Sequence, residues 1–575
     1  MTRHDRRSFL GRTAAAVAGA LAPRAGAGAP GPVASETPGE AAAALVVRNA
    51  RIYTMDSSMP KAEALAVRDG RILAVGSAAA AQDAAGPRAQ TWDAKGMVVV
   101  PGFIDCHNHP RGTTLLYEVL VGNPFEVERV SIASIVEKLR ARAGQTPAGT
   151  WVEGFFFDDT KLKDGRPLTV RDLDQVSTEH PVAVHHRGGH TSFYNSKALA
   201  LAGVTRQTPN PTGGTFDRDA AGALTGRVTD LATRVFATVG VRPALTAEEE
   251  RKRERDGLAH ISKEFARYGL TTVHHEEGDL AALQDVRARG DLRHRVSYES
   301  SGRVLESLLE SGLMTGFGDD WIRIGATSEH TVDGSFSERT MARSTPYPGT
   351  NPPYKGNVTQ SQEELDAWVE RVHRAGIQVN CHANGDVAIG MYLTALERAQ
   401  AAFPRPDARP KITHCTLIDE DLVRRIKAIG AVPALFTTYA YYNPDKFVLY
   451  GEETMRRCMA YRTLLDAGVP AAGGSDFPPG PFSPLMGIQG MVTRTGWDGT
   501  TWGANQRISV DDALRVMTIH GAYAAREESR KGSITPGKLA DFVLLSDDPH
   551  TVSADRIKDI RVVRTFVGGV TTHEA

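Results

Sequence analysis

Short apolar runs alternate with amphipathic helical stretches from about residue 98 to residue 529. Helical periodicity is clearest at Gln362–Ala375 and Val387–Ala401, which lie between such runs. Strands that alternate with helices predict a parallel α/β fold, and eight repeats predict a (β/α)8 TIM barrel. The strand candidates are Val98–His107, Leu270–His275, Arg295–Ser300, Ile322–Glu329, Gln378–His382, Lys411–His414, Ala431–Phe436 and Val469–Asp476.

Both ends of this region carry a different pattern. Residues 44–97 and 530–575 contain short β runs separated by turns, among them a hairpin signal at Asp69-Gly70. We predict a small β-sandwich domain that is built from both chain ends and flanks a barrel at 98–529. Residues 112–259 do not fit the strand–helix repeat, so we predict an inserted subdomain after the first barrel strand.

The amino terminus is typical of an export signal. Arg6-Arg7 precedes an Ala-rich run at Thr13–Ala22 and small residues at Ala25–Ala27. This order predicts a twin-arginine signal peptide and linker over residues 1–43, with a disordered Ala-rich tail as the alternative. We therefore expect the twin-arginine export machinery as a transient partner and a periplasmic or extracellular location.

Composition narrows the classes of function. The chain has 575 residues, with 67 Lys and Arg against 68 Asp and Glu, so its formal net charge is −1. Such a balance offers no overall charge for binding nucleic acid or an anionic membrane, and four cysteines exclude a disulfide scaffold. A small-molecule substrate is the expected partner, and a homodimer is the default assembly.

Polar residues stand at the ends of several predicted strands. His107 and His109 alternate onto one face after the first strand, and the others are Glu329, His382, His414 and Asp476. Carboxyl ends of barrel strands meet at one opening, and a buried imidazole or carboxylate is costly unless paired or metal-bound. The pattern predicts a metal site there, with a set of unrelated, individually satisfied polar residues as the alternative.

Six segments of the chain carry family-specific motifs: Pro101–His109, Gly189–Leu199, Val332–Ser335, His382–Asp386, Gly474–Asp476 and Gly532–Asp541. Through them the chain resembles the amidohydrolase superfamily, and within it the amidohydrolase-3 (YtcJ-like) branch that includes N-substituted formamide deformylases. The resemblance extends from about residue 45 to residue 570.

The resemblance implies the ligands of a divalent metal centre. His107 and His109 would hold a first ion, His382 and His414 a second, and Asp476 would touch the first ion and the attacking water. Family members often carry a carboxylated lysine as a bridge where this chain has Glu329; His330 is the alternative ligand. Zn²⁺ suits these donors best, with manganese or iron as alternatives. One or two ions per chain are expected, and two are favoured.

The implied reaction is metal-assisted hydrolysis of an amide, formamide or cyclic amide C–N bond in a small molecule. A metal-activated hydroxide would attack, and Asp476 would pass its proton to the leaving nitrogen. His190, in the insertion, is a second catalytic candidate that could hydrogen-bond the substrate. A metal-dependent deaminase and a non-catalytic exported binding protein on a decayed barrel are the alternatives. The glutamate usual in deaminases three residues after the fifth-strand histidine is absent after His382, and retention of every donor disfavours decay.

Overall fold

The computed structural model describes residues 44–242, 244–276 and 278–575, so the predicted export signal at 1–43 lies outside the described residues. The strands are β1 Leu45–Arg48, β2 Arg51–Tyr53, β3 Lys61–Ala62, β4 Ala64–Arg68, β5 Arg71–Gly76, β6 Gln90–Asp93, β7 Val98–Pro101, β8 Phe103–Asn108, β9 Val119–Leu120, β10 Val152–Phe157, β11 Val182–His186, β12 Thr191–Tyr194, β13 Gly214–Arg218, β14 Leu224–Asp230, β15 Leu270–Glu276, β16 Arg295–Ser300, β17 Ile322–Thr327, β18 His330–Thr331, β19 Asn380–Ala383, β20 Lys411–His414, β21 Val432–Phe436, β22 Ala472–Gly474, β23 Phe542–Leu545, β24 Val562–Val567 and β25 Val570–Glu574.

Helices occupy much of the chain between these strands. In the described part of the chain, none of them combines the length and the apolar character that crossing a bilayer requires. They are α1 Ala78–Ala85, α2 Gly112–Tyr117, α3 Ile132–Ala143, α4 Val170–Asp174, α5 Ser196–Leu201, α6 Ala247–Arg267, α7 Leu280–Ala288, α8 Gly302–Ser311, α9 Gln362–Arg374, α10 Asp386–Ala402, α11 Glu420–Ile429, α12 Tyr439–Tyr442, α13 Pro444–Phe447, α14 Glu452–Met455, α15 Tyr461–Asp466, α16 Pro484–Thr493, α17 Val510–Val516 and α18 Ile519–Ala524.

Two parallel sheets form the middle of this mixed α/β fold. One has the strand order β17-β16-β15-β8, and the other has the order β18-β19-β20-β21-β22. Isolated parallel bridges join the two sheets at both edges, between Asn108 and Phe477 and between Ala326 and Gln378. The carboxyl ends of neighbouring parallel strands therefore face the same side of the molecule, which is where the polar strand-end residues lie.

Strands from the two chain ends pair with one another. β7 pairs antiparallel with β23, with Val99 opposite Leu544, inside a sheet of order β25-β24-β23-β7-β2-β3. A second sheet, of order β5-β4-β1-β6, contributes Val47 to the same buried apolar cluster as Ile52 and Phe542. The apolar faces of these short strands are therefore buried by residues roughly five hundred positions away.

The predicted strand Val98–His107 is wrong as one element. β7 and β8 belong to different sheets, and the chain changes sheet at Gly102, whose N–H donates to the carbonyl of Asp541 at 2.9 Å. A Cβ atom on Gly102 would lie 2.0 Å from Thr271 Oγ1, so a side chain would prevent this close approach. The unbroken apolar run concealed the break, because both halves are fully buried.

Residues 119–230 supply a further sheet, of order β13-β14-β12-β11-β10-β9. Its apolar core is separate from that of the parallel sheets and includes Val152, Phe157, Val182 and Phe193. The loop between β11 and β12 carries Arg187 and His190, so this sheet delivers polar side chains to the strand ends described below.

Two buried histidines hydrogen-bond each other between β15 and β16. His275 Nε2 lies 2.8 Å from His294 Nε2, and His294 Nδ1 lies 2.8 Å from Ser262 Oγ. Burial lowers the pKa of His275 to about 3, and burial together with His275 lowers the pKa of His294. One ring must accept the shared proton, so protonating that ring removes the bond.

We expect this pair to make the protein acid-sensitive. The unfolded state binds these protons near pH 6.5 and the folded state does not, so stability falls as the pH drops from about 6.5 towards 3. Between pH 7 and pH 5, the free energy of unfolding of the wild type should fall by about 2 kcal/mol more than that of His275→Asn. Urea unfolding at both pH values measures this, with His260→Asn as the control. Equal losses in wild type and His275→Asn would contradict the explanation.

Candidate metal centre

Four strand-end histidines surround Asp476 and Glu329. His107 Nε2 lies 3.1 Å from Asp476 Oδ1, and His109 Nε2 lies 3.5 Å from the same oxygen. His382 and His414 stand nearby, with His414 Nε2 3.1 Å from His382 Nδ1. The chain thus brings together all six predicted ligand residues, although they are spread over more than three hundred and fifty positions.

Glu329 lies between the two histidine pairs. Its Oε1 is 3.4 Å from His109 Nε2, while its Oε2 is 3.2 Å from His382 Nδ1 and 3.3 Å from His414 Nε2. Two carboxylate oxygens that face different imidazoles suit a bridge between two cations. His330, the alternative ligand, lies outside the group, because its Nε2 is 2.9 Å from Gln360 Oε1 and its ring stacks on Trp368.

The donor set fits divalent cations. Ligand atoms lie within 4.8 Å of one another in three overlapping triplets: His107, His109 and Glu329; His107, His414 and Asp476; and Glu329, His382 and His414. Within the described residues, the buried His107 Nε2 has no hydrogen-bond partner of acceptable geometry. Buried imidazole and carboxylate donors are typical of zinc sites, and a bound cation would satisfy this nitrogen.

The charges of the cluster favour cation binding. Burial alone would lower the pKa of His107, but Glu329, Asp476 and Glu276 raise it well above its usual value. Burial alone would raise the pKa of Asp476, but His414, His107 and His109 hold it well below its usual range. Protons and metal ions compete for such imidazoles, so metal binding here should release protons.

The backbone is strained where two of these side chains enter the cluster. His414 has φ +72° and Asp476 has φ +53°, in the left-handed region that residues with a Cβ rarely adopt. The neighbouring Gly474 permits the contact between β22 and β8, since a Cβ there would lie 2.8 Å from His107 Cβ. Strain of this kind clusters at functional sites.

Neighbouring groups fix the orientation of His382. Its Nε2 lies 3.2 Å from the carbonyl oxygen of Gly334 and 3.0 Å from Asn384 Nδ2, while Nδ1 faces Glu329. Asp333 holds this loop in place, because it accepts hydrogen bonds from the backbone N–H groups of Asn384, at 2.9 Å, and Gly385, at 2.9 Å. When the Nε2–H group donates to the carbonyl of Gly334, the lone pair of Nδ1 is available to a cation.

Glu276 is a residue that sequence reasoning missed. Its Oε1 lies 3.0 Å from His107 Nδ1, and its Oε2 accepts from Ser328 Oγ at 2.6 Å and from the N–H of Glu329 at 2.9 Å. It thereby orients His107 and also fixes the backbone at Glu329. Glu276 ends the strand that begins at Leu270, so the criterion applied to Glu329, a carboxylate that finishes an apolar strand, would have found it.

We expect Glu276→Gln to weaken metal binding without emptying the donor cluster. A carboxylate behind a ligating histidine raises its basicity, and its loss typically costs about 10–100-fold in metal affinity. Competition with a fluorescent zinc chelator measures the change. Glu153→Gln is the matched control, because Glu153 forms the same contact with His185, 3.0 Å from its Nε2, outside the donor cluster. Equal affinities in the two variants would refute the role of Glu276.

His190 lies beside the cluster and is held by a second missed residue. Its Nδ1 is 3.0 Å from Asp230 Oδ1, and its ring centroid is 5.7 Å from that of His382. Burial alone would lower the pKa of His190, but the hydrogen bond to Asp230 and the Glu338 carboxylate raise it to about 9. At neutral pH His190 therefore presents a charged N–H group near the donors.

A cavity of about 410 Å³, named the first cavity, opens above the donor cluster. Phe155, Phe156 and Phe436 give it an aromatic wall, and Arg187 and His190 enter from the loop after β11. Its wall includes the donor residues His109, Glu329, His382, His414 and Asp476. A concave, partly aromatic site with converging polar groups is typical of small-molecule binding.

The sequence pattern of the Amidohydrolase family matches residues 90–573. The chain belongs to this family. The N-substituted formamide deformylase of Arthrobacter pascens is 27% identical over 546 residues, covering 92% of this chain and 98% of the relative. The amidohydrolase YtcJ of Bacillus subtilis is 27% identical over 551 residues, covering 91% of this amidohydrolase and 98% of the relative.

Solved structures agree with this assignment at the level of the fold. An uncharacterized metal-dependent hydrolase from Pyrococcus horikoshii superimposes with a TM-score of 0.67 at 23% identity, covering 89% of this amidohydrolase and 99% of that chain. A corresponding protein from Pyrococcus furiosus gives a TM-score of 0.66 at 24% identity. Together with the donor cluster, the family supports a metal-dependent hydrolase.

Proposed function

We propose that this amidohydrolase hydrolyses a C–N bond of a small amide, formamide or cyclic amide at a centre of one or two divalent cations, with Zn²⁺ and two ions favoured. The observation that carries the proposal is the position of Glu329, whose Oε1 faces His109 and whose Oε2 faces His382 and His414 and lies 3.5 Å from His107 Nε2. The similarity of the chain to a protein named N-substituted formamide deformylase supports a substrate with a hydrolysable C–N bond.

The chain's own residues divide the work between binding and proton transfer. His107, His109 and Asp476 would hold one cation, His382 and His414 the other, and Glu329 would bridge them. When bound, the cations supply Lewis acidity and lower the pKa of water. Asp476, whose pKa is held low, takes the proton of the attacking water and delivers it to the leaving nitrogen. His190 donates a hydrogen bond to the developing oxyanion.

We propose the same architecture that the sequence pattern predicts. The parallel strands would close into a (β/α)8 barrel, which the bridges Asn108–Phe477 and Ala326–Gln378 support. The two sheets of the chain ends would form the β-sandwich, which their shared apolar cluster supports. In a barrel, active sites lie at the carboxyl ends of the strands, as these donors do.

Metal removal and restoration test the proposed function. We expect the protein stripped with dipicolinate to lose hydrolysis of N-formyl and N-acyl amines, and one or two equivalents of Zn²⁺ to restore it. Release of the free amine, measured by chromatography, is the readout. His373→Asn is the control variant and should respond to stripping and to zinc as the wild type does. This buried histidine bonds the carbonyl of Phe403 at 2.8 Å, away from the cluster. Full activity in the stripped protein would overturn the proposal.

A further inference from the structure

A second cavity, of about 640 Å³, also borders Glu329 and His190. Its wall shares three residues with that of the first cavity: Gly189, His190 and Glu329. The remainder comes from segments after β14, β16 and β17 and from α9, whereas the first cavity is walled by the inserted sheet and the later strands. Of the donor residues, Glu329 therefore borders both of these separately built spaces.

The two cavities differ in chemistry. The first has the aromatic wall of Phe155, Phe156 and Phe436. The second combines the apolar side chains of Leu305 and Trp368 with polar groups such as Thr359. Small-ligand pockets usually measure about 300–1,000 Å³, so each cavity is large enough for a ring-sized group.

A buried hydroxyl in the second cavity lacks a partner. Ser300 is fully buried, and its Oγ has no hydrogen-bond partner within the described residues. An unsatisfied buried hydroxyl costs free energy unless a ligand or water bonds it. Ser300 ends β16 and belongs to the wall of the second cavity.

We propose that the second cavity is a substrate subsite of the same reaction centre, and this proposal rests on the proposed function. The substrate is then an amide that carries a substituent on each side of the hydrolysed bond. One substituent, aromatic, occupies the first cavity, and the other, with an apolar body and a hydrogen-bonding end, occupies the second. His190, between the cavities and held by Asp230, lies beside the bond that is hydrolysed.

Four amides test this arrangement with the metal-loaded protein. They combine a small or a large acyl group with a small or a large amine: N-methylformamide, N-formyltyramine, N-methylphenylacetamide and N-phenylacetyltyramine. We expect kcat/KM for the last to exceed that for either singly substituted amide by about 10-fold or more, since each filled pocket contributes to transition-state binding.

Two filling variants assign the effect to the second cavity. Thr359→Trp and Arg234→Trp each place a large side chain in this cavity, from different walls. Each should lower kcat/KM for N-phenylacetyltyramine by about 10-fold relative to kcat/KM for the singly substituted amide that leaves the second cavity empty. Thr212→Trp, at an exposed loop, is the matched control and should preserve all four values. Two filling variants keep the test valid if one fails to fold.

The outcomes separate the two proposals. If the protein hydrolyses none of these four amides and no related C–N substrate, the proposed function is wrong. Hydrolysis without preference for the doubly substituted amide, or with ratios that neither filling variant changes, would overturn the second subsite and leave the proposed function standing.

Discussion

Asp476→Asn should abolish turnover while the protein keeps most of its metal. The amide of asparagine cannot take a proton from the attacking water, and general acid–base groups typically contribute about 10²–10⁴-fold to the rate. His107, His109 and Glu329 remain as a donor triplet, so a cation can still bind. We expect kcat to fall by about 10³-fold or more with at least half of the wild-type metal content. Single-substrate kinetics and elemental analysis of the same sample measure both.

Asp386→Asn is the control for this substitution. Asp386 begins α10 and accepts from the N–H of Ser344 at 2.9 Å, outside the donor cluster, so its variant should keep both activity and metal. An Asp476→Asn enzyme with nearly wild-type turnover would rule out Asp476 as the proton carrier. Loss of all metal together with activity would instead make Asp476 chiefly a ligand.

Of the substitutions proposed for this protein, Lys411→Met should cause the largest loss of unfolding free energy. Lys411 Nζ lies 2.5 and 2.7 Å from the oxygens of Glu299 and 2.8 Å from the carbonyl oxygen of Cys106, and both side chains are almost fully buried. Burial alone would lower the pKa of Lys411, but Glu299 and Glu276 raise it, so the ammonium stays charged. Removing one partner of a buried pair costs about 3–5 kcal/mol, and urea unfolding should show this loss.

An exposed pair provides the comparison. Arg462 Nε lies 2.7 Å from Asp466 Oδ2, and more than half of each side chain is exposed. Arg462→Met should cost less than about 1 kcal/mol, because water screens this pair. Replacing both buried partners, as in Glu299→Leu with Lys411→Met, should recover most of the loss. Equal losses from Lys411→Met and Arg462→Met would contradict the argument from burial.

The sequence predicted the members of the donor cluster because their signal is local. A histidine or carboxylate that finishes an apolar strand is visible in a few residues, and parallel strands bring their ends together whatever the loops between them. The position of His330 agrees with the alternation of side chains between the two faces of a strand. It adjoins Glu329, and the structure stacks it on Trp368, away from the donors.

The sequence could have shown Glu276 as a carboxylate that ends an apolar strand, but it could not show which donor each partner contacts, because these contacts depend on strand register and on distant loops. Glu276 reaches His107 only because β15 lies beside β8, with Val273 opposite Asp105. Asp230 reaches His190 because β14 pairs with β12, with Thr229 opposite Thr191. The change of sheet at Gly102 was also invisible, since it depends on the contact with Thr271.

An anomalous-difference map of crystals of the zinc-loaded protein tests the central claim most directly. The account predicts one or two peaks within bonding distance of His107, His109, His382, His414 and Asp476, with an oxygen of Glu329 coordinated to each ion. A zinc-loaded crystal with no peak there, or with its zinc bound away from these side chains, would contradict the account.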